Sequence, residues 1–291
     1  MKMGIVCDLT YHRSIALSTY YHALKNLYGD LLLIQKPTDL NEVKVVFICN
    51  EHFIPHRSIW LQPWFLDICN RNKIKVIVIS GETLKNNIQY AKDVESIQSY
   101  VEQFNDLHQY VWDVNDCIIM ERKRINYGVS WHYKNIVDRT KKKNNKCVFI
   151  GQMPPHYKLR IALIEKIHKY IDIDVITTGV GDNWEDYMNV LSQYRFVLSP
   201  ISGASNGIPL RFYESLLAGC IPIQQVMENT LSFYKHEANL VDAIYFQDVE
   251  ELPDKLQSCF LERATSELWL EDSIREAFIA DKLHEVLENI R

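Results

Sequence analysis

The sequence predicts an α/β protein built from two Rossmann-like α/β/α domains facing a central cleft. Three observations predict it. Short β-branched runs alternate with longer amphipathic segments along most of the chain, the pattern of parallel sheets covered on both faces. Five such runs fall in each half. The length of 291 residues suits two domains of ordinary size.

Taken in order, the strand-like runs of the first half are Met3–Cys7, Leu31–Ile34, Val43–Cys49, Lys75–Ser80 and Cys117–Met120. Helical patterns at Ser14–Leu27, Arg57–Asn70 and Val94–Leu107 separate them. The second half has strand-like runs at Cys147–Ile150, Asp174–Thr177, Phe196–Ser199, Ile221–Gln225 and Ala243–Phe246. Its helical patterns are Tyr157–Tyr170, Trp184–Tyr194 and Pro209–Ala218. Between Glu121 and Lys146 the chain turns charged and irregular, ending in Lys141-Lys-Lys143-Asn-Asn-Lys146. That segment reads as a solvated interdomain linker. The expected domains are therefore 1–135 and 136–265, with an amphipathic helix over 266–291.

Composition narrows the function. A net charge of −5 argues against nonspecific nucleic-acid binding. The seven cysteines show no C-x-x-C or Cys/His spacing of a zinc site. Most lie in apolar runs, as small core residues of a reducing compartment do. Asp8 and the His12-Arg13 pair interrupt any secretory apolar region, and no run approaches the ~20 apolar residues of a membrane span. A cytoplasmic location is expected.

The most informative stretch is Ser199–Ile223, S-P-I-S-G-A-S-N-G-I-P-L-R-F-Y-E-S-L-L-A-G-C-I-P-I. It reads as a strand end, a small polar loop, a helix, then Gly219 and a new strand. A loop of Gly, Ser and Asn lets backbone N–H groups approach an anion, and the helix N-terminus after it favours negative charge. Arg211 in the first turn offers a forked, permanent cation for phosphate oxygens. Glu214, one turn on, can accept hydrogen bonds from sugar hydroxyls. The plainer alternative is an Arg–Glu ion pair on a solvated helix face.

This stretch resembles the donor-site motif of the exostosin-like branch of the GT-B glycosyltransferases. The matching residues are Ser199, Pro200, Ser205, Arg211, Glu214, Gly219, Cys220, Ile221 and Pro222, within a similar segment running from Cys147 to Gln225. The likeness is to a compact form, as in bacteria or large DNA viruses, rather than to the Golgi-anchored enzymes. It implies a GT-B fold and sugar transfer from a nucleotide-diphosphate sugar, a UDP-sugar above others, to a glycan or glycoside. It also implies inversion, no bound metal and no other cofactor. A final helix packing back on the first domain is a further implication.

Ligands of open parallel sheets bind at the carboxyl ends of the strands. That rule and the motif select Gly151, Thr178, Ser199, Pro200, Ser205, Asn206, Gly207, Arg211 and Glu214 for the donor, with Arg160 from the helix after Gly151. In the first domain the rule selects Asp8, Glu51 and His52 as candidate general bases for the acceptor hydroxyl, with His12 and Glu82 behind them. Thr178-Gly-Val-Gly181 lacks the third glycine of a dinucleotide fingerprint. Asp172-Ile-Asp174 precedes a strand, so its carboxylates are expected at the wrong edge for a metal-bound donor. Three alternatives stay open: a GDP-sugar transferase of fucosyltransferase type, a non-catalytic nucleotide or sugar binder, and a purely structural α/β protein.

Overall fold

The computed structural model describes residues 2–6, 15–50, 59–80, 99–111, 123–124, 143–151, 153, 155, 158–177, 184–200, 209–226, 243–262, 283–284 and 287–288. The chain divides into two compact units. Met1–Asn126 with Ala280–Arg291 forms the first, and Tyr127–Ile279 the second.

The first unit is built on β1 (Met3–Val6), α1 (Ile15–Tyr28), β2 (Leu31–Leu33), β3 (Val45–Asn50), α2 (Pro63–Arg71), β4 (Lys75–Ser80), β5 (Leu107–Val111) and β6 (Lys123–Arg124). All pairings are parallel, in the order β2-β1-β3-β4-β5-β6. Among the described residues the sheet thus has six strands: β1 to β4 fall on the first four runs read from the sequence, and β5 and β6 fall on none. Val46, Ile48, Val76 and Val78 pack against Phe65, Ile68 and Cys69 of α2. Of the C-terminal residues, Leu283 and Leu287 are buried, and the Tyr28 hydroxyl lies 3.2 Å from His284 Nδ1.

Two local departures have clear causes. The helical pattern over Arg57–Asn70 is broken at Pro63, which cannot donate a backbone hydrogen bond and drives Gln62 out of the helical region. Gln62 sits at φ −76, ψ 137, so a 3-10 turn at Ile59–Leu61 precedes α2, which opens on Pro63. The helical pattern ending at Leu107 runs into β5 instead. Its sequence Leu-His-Gln-Tyr-Val lacks an apolar run, and of Leu107–Tyr110 only Tyr110 is buried. The run Cys117–Met120 lies outside the described residues.

The second unit carries β7 (Asn144–Ile150), α3 (Lys158–Ile167), β8 (Ile173–Ile176), α4 (Trp184–Leu191), β9 (Tyr194–Ser199), α5 (Leu210–Leu217), β10 (Ile221–Gln225), β11 (Ile244–Phe246) and α6 (Leu252–Glu262). Its five parallel strands lie in the order β11-β10-β9-β7-β8. Read from β8, this is the connection order that begins the first unit. In both sheets the chain reverses its winding next to the first strand, between β1 and β3 and between β7 and β9. The sequence signal is the near-continuous burial of strands covered on both faces, as in β9 and β10.

One face of the second sheet, with Phe149, Phe196, Leu198 and Ile223, packs against Ile164 and Ile167 of α3 and Leu252 and Cys259 of α6. The opposite face takes α5 over β9 and β10, and α4 over β9. Gly219 ends α5 in the left-handed region at φ 69. Cys220 N donates to Ser215 O and Gly219 N to Leu216 O, closing a Schellman cap that a Cβ would strain.

Lys143 departs from the solvated reading of the lysine run, whereas Asn144, Asn145 and Lys146 are exposed as that reading expects. The Lys143 ammonium donates to Ser192 O at 2.8 Å and Ala218 O at 2.7 Å. These carbonyls end α4 and α5, where a cation complements the helix macrodipole. Lys143 therefore ties together the ends of the two helices that carry the site described next.

Candidate functional site

In open parallel sheets the ligand crevice forms at the carboxyl ends of the strands, where the winding reverses. In the second unit that point lies between β7 and β9. The residues leaving these strands are Gly151 and Pro200.

Arg211 reaches this point from the first turn of α5. Pro209, extended at φ −70 and ψ 157, caps the helix and brings the chain in. The guanidinium carbon stands 4.8 Å from the centre of the Phe149 ring. Arg160, from α3 on the other side of the sheet, stands 6.0 Å from the same ring. One buried aromatic at the end of β7 thus receives two guanidinium groups. Placing Arg211 in a first turn opposes the helix macrodipole, and a second arginine nearby adds repulsion. An anion at this edge would reverse both terms.

Gly151 makes room for the arrangement. A Cβ there would lie 2.4 Å from Arg211 Nη2 and 3.3 Å from Phe149 Cζ. Its glycine therefore answers both to the guanidinium and to a backbone φ of 159, reasons that a single sequence does not display.

Glu214 is buried at 6% exposure. Its Oε2 accepts a 2.6 Å hydrogen bond from the hydroxyl of Tyr187, on α4. The solvated Arg–Glu ion pair is thus not what forms. Burial raises the Glu214 carboxyl from its ordinary value, against the lowering effects of Tyr187 and Arg211. Burial, then the Glu214 charge, pushes the Tyr187 phenol far above its ordinary value, so it stays a donor. Ser215 Oγ donates to Arg211 O at 2.5 Å, within the same helix.

Ser199 and Gln224 are register partners on β9 and β10, both fully buried. They alternate with the Phe196/Leu198 and Ile223 face, so they lie on the side covered by α5. Gln224 Nε2 donates to Gln225 O at 2.7 Å. Arg211 Nε, Ser199 Oγ and Gln224 Oε1 are buried and find no hydrogen-bond partner among the described residues. Buried polar atoms are nearly always paired, so this edge keeps hydrogen-bonding capacity.

Of the residues selected from the sequence, Arg211, Arg160 and Gly151 meet around Phe149. Glu214 adjoins them through Tyr187 and the Arg211 charge, and Ser199 and Pro200 end the neighbouring strand. Thr178, Ser205, Asn206, Gly207 and the candidate bases Asp8, Glu51 and His52 lie outside the described residues, as do His12 and Glu82. Tyr187 and Phe149 were not selected. Phe149 reads as core, and Tyr187 meets Glu214 across 27 positions, which no local spacing reveals.

Asp172 and Asp174 sit at the opposite, amino edge of the sheet. Lys146 pairs with them at 3.5 and 3.4 Å, and Tyr194 donates to Asp174 at 2.9 Å. Cys69, Cys147, Cys220 and Cys259 are free buried thiols. Among the described residues no helix is long and apolar enough to cross a membrane.

No protein-family profile matches the sequence, and no curated protein sequence matches it. Solved structures do match its fold. AviGT4, a glycosyltransferase involved in avilamycin A biosynthesis, superposes with a TM-score of 0.55 at 11% identity, covering 100% of this chain and 97% of that one. A glycosyltransferase from Rickettsia africae ESF-5 gives 0.54 at 11%, covering 99% and 98%. An α1,3-fucosyltransferase gives 0.51 at 13%, covering 99% and 89%. At these identities the likeness is one of fold: the chain has the two-domain GT-B fold of these proteins.

Proposed function

We propose that this protein is a glycosyltransferase that takes its sugar from a nucleotide-diphosphate donor, with the diphosphate at Arg211 and Arg160. The observation that carries the reading is the meeting of both guanidinium groups on Phe149, at the switch point of a sheet in a GT-B fold. Glu214 then stands one helical turn away to accept ribose hydroxyls. The loop 201–208, rich in Gly, Ser and Asn, precedes the same helix and suits backbone contacts to phosphate.

The reaction breaks the bond between the anomeric carbon and the diphosphate oxygen and forms one to an acceptor oxygen. The bonding electron pair leaves with the diphosphate, where Arg211 and Arg160 stabilise the growing charge. The acceptor proton passes to a base, for which Asp8, Glu51 and His52 are the candidates. The resemblance of the Ser199–Ile223 motif favours a UDP-sugar, inversion and a glycan or glycoside acceptor.

The test is release of nucleoside diphosphate from a panel of UDP- and GDP-sugars in the presence of simple glycosides. Turnover by the wild type, reduced about 10²- to 10³-fold in Arg211→Ala as expected for loss of a main charge-stabilising group, supports transfer. Nucleotide binding without turnover from any donor would make the protein a binder instead.

A further inference from the structure

The Tyr187 hydroxyl is a polar contact at this edge that the transfer reading leaves unused. It comes from α4, whereas Glu214 and Arg211 share α5. It thus links a second helix to the Glu214 carboxylate by a 2.6 Å hydrogen bond. A carboxylate offers about four lone-pair directions. Tyr187 occupies one on Oε2, which leaves the other directions of a residue that keeps 6% exposure. The carbonyls that end α4 and α5 are joined by Lys143, so the spacing of the two helices is held. The phenol stays protonated because burial and the Glu214 charge oppose its ionisation.

We propose that Tyr187 is a positioning residue, whose hydroxyl fixes the Glu214 carboxylate to accept the ribose hydroxyls of a nucleoside diphosphate anchored at Arg211. The proposal rests on the nucleotide reading of the same site. It assigns the ribose selectivity of the site to a hydrogen bond between two helices rather than to Glu214 alone. Without the phenol the carboxylate is free to turn, or to hold its proton, and a preset acceptor is lost.

The experiment is calorimetric titration of the full chain with UDP, GDP, CDP and ADP, and with the 2′,3′-dideoxy form of whichever binds tightest. The wild type should prefer the ribose form by about tenfold or more, the equivalent of one hydrogen bond to a charged group. Tyr187→Phe should lose most of that preference by weakening the ribose form far more than the dideoxy form. Glu214→Gln should lose it as well, and the double variant should show no further loss. A Tyr187→Phe protein with the wild-type ratio, or one that weakens both forms equally, overturns the proposal. Should Tyr187→Phe fail to fold, a Glu214→Gln protein that keeps the wild-type ratio overturns it equally. A wild type that binds none of the four nucleotides overturns the nucleotide reading itself, a different and distinguishable failure.

Discussion

Gly151→Ala places one methyl group against the tip of Arg211. The added Cβ would lie 2.4 Å from Nη2 and 3.3 Å from Cζ. Ordinary contacts between heavy atoms need roughly 3.5 Å, so the guanidinium must retreat by about 1 Å. A 2.9 Å hydrogen bond stretched by ~1 Å is no longer one. Loss of one hydrogen bond to a charged group is worth about 1.5–3 kcal/mol, or roughly 10- to 150-fold in affinity. The obstructed atom is the far end of a flexible side chain, but Gly151 stands at φ 159, which L residues rarely adopt, so stability should also fall by about 1–3 kcal/mol. Titration with the nucleoside diphosphate that the wild type binds, paired with urea unfolding, separates the two effects. Affinity should fall by an order of magnitude or more under conditions where the urea curve shows the variant fully folded. Adding Gly151→Ala to Arg211→Ala should cost little more, because both act on one group. Wild-type affinity in Gly151→Ala would refute the placement of the anion at Arg211.

Two other substitutions have defined signs. Lys143→Met keeps the apolar stem but removes two charge-assisted bonds to helix-end carbonyls. It should cost about 1.5–3 kcal/mol in urea unfolding, whereas a solvated lysine would cost almost nothing. Glu214→Gln should change the pH dependence of stability. The wild-type carboxyl is raised by burial above its ordinary 4.5, so it binds its proton more tightly folded than unfolded. Its contribution is complete below the unfolded value and is lost as pH rises through the folded one. The variant should therefore gain on the wild type as pH rises upward from about 4.5, measured as a difference in Tm across a pH series. A difference that is flat, or that shrinks with rising pH, would show the carboxyl is not raised.

The fold was legible where burial on both faces writes continuous apolar runs. All five strands of the second unit, from Cys147–Ile150 to Ala243–Phe246, coincide with the runs read from the sequence to within a few residues at their ends, although β8 is only partly buried after Ile173. It was illegible where a strand carries polar residues, as in the Leu-His-Gln-Tyr-Val of β5, because half-exposed strands near a sheet edge do not need an apolar run. Pro63 was readable in principle, since its ring fixes where a helix can begin. In the candidate site, Arg211 and Glu214 were legible because one helix face sets both. Gly151 was selected by the strand-end rule, yet the structure shows it yielding space to Arg211. Tyr187 and Lys143 were not legible as contacts. Each makes its decisive hydrogen bonds to residues at least 27 positions away, and such pairings are properties of packing rather than of local sequence.

Thermal unfolding with UDP, GDP, CDP and ADP, on the wild type and on Arg211→Ala, tests the nucleotide site most directly. A nucleotide present at ~100 times its dissociation constant should add about 2.7 kcal/mol to folding stability. Stabilisation of the wild type by at least one of the four, lost in Arg211→Ala, is the expected result. No shift with any of them, or an equal shift in both proteins, would contradict a nucleotide-diphosphate site at the end of β7.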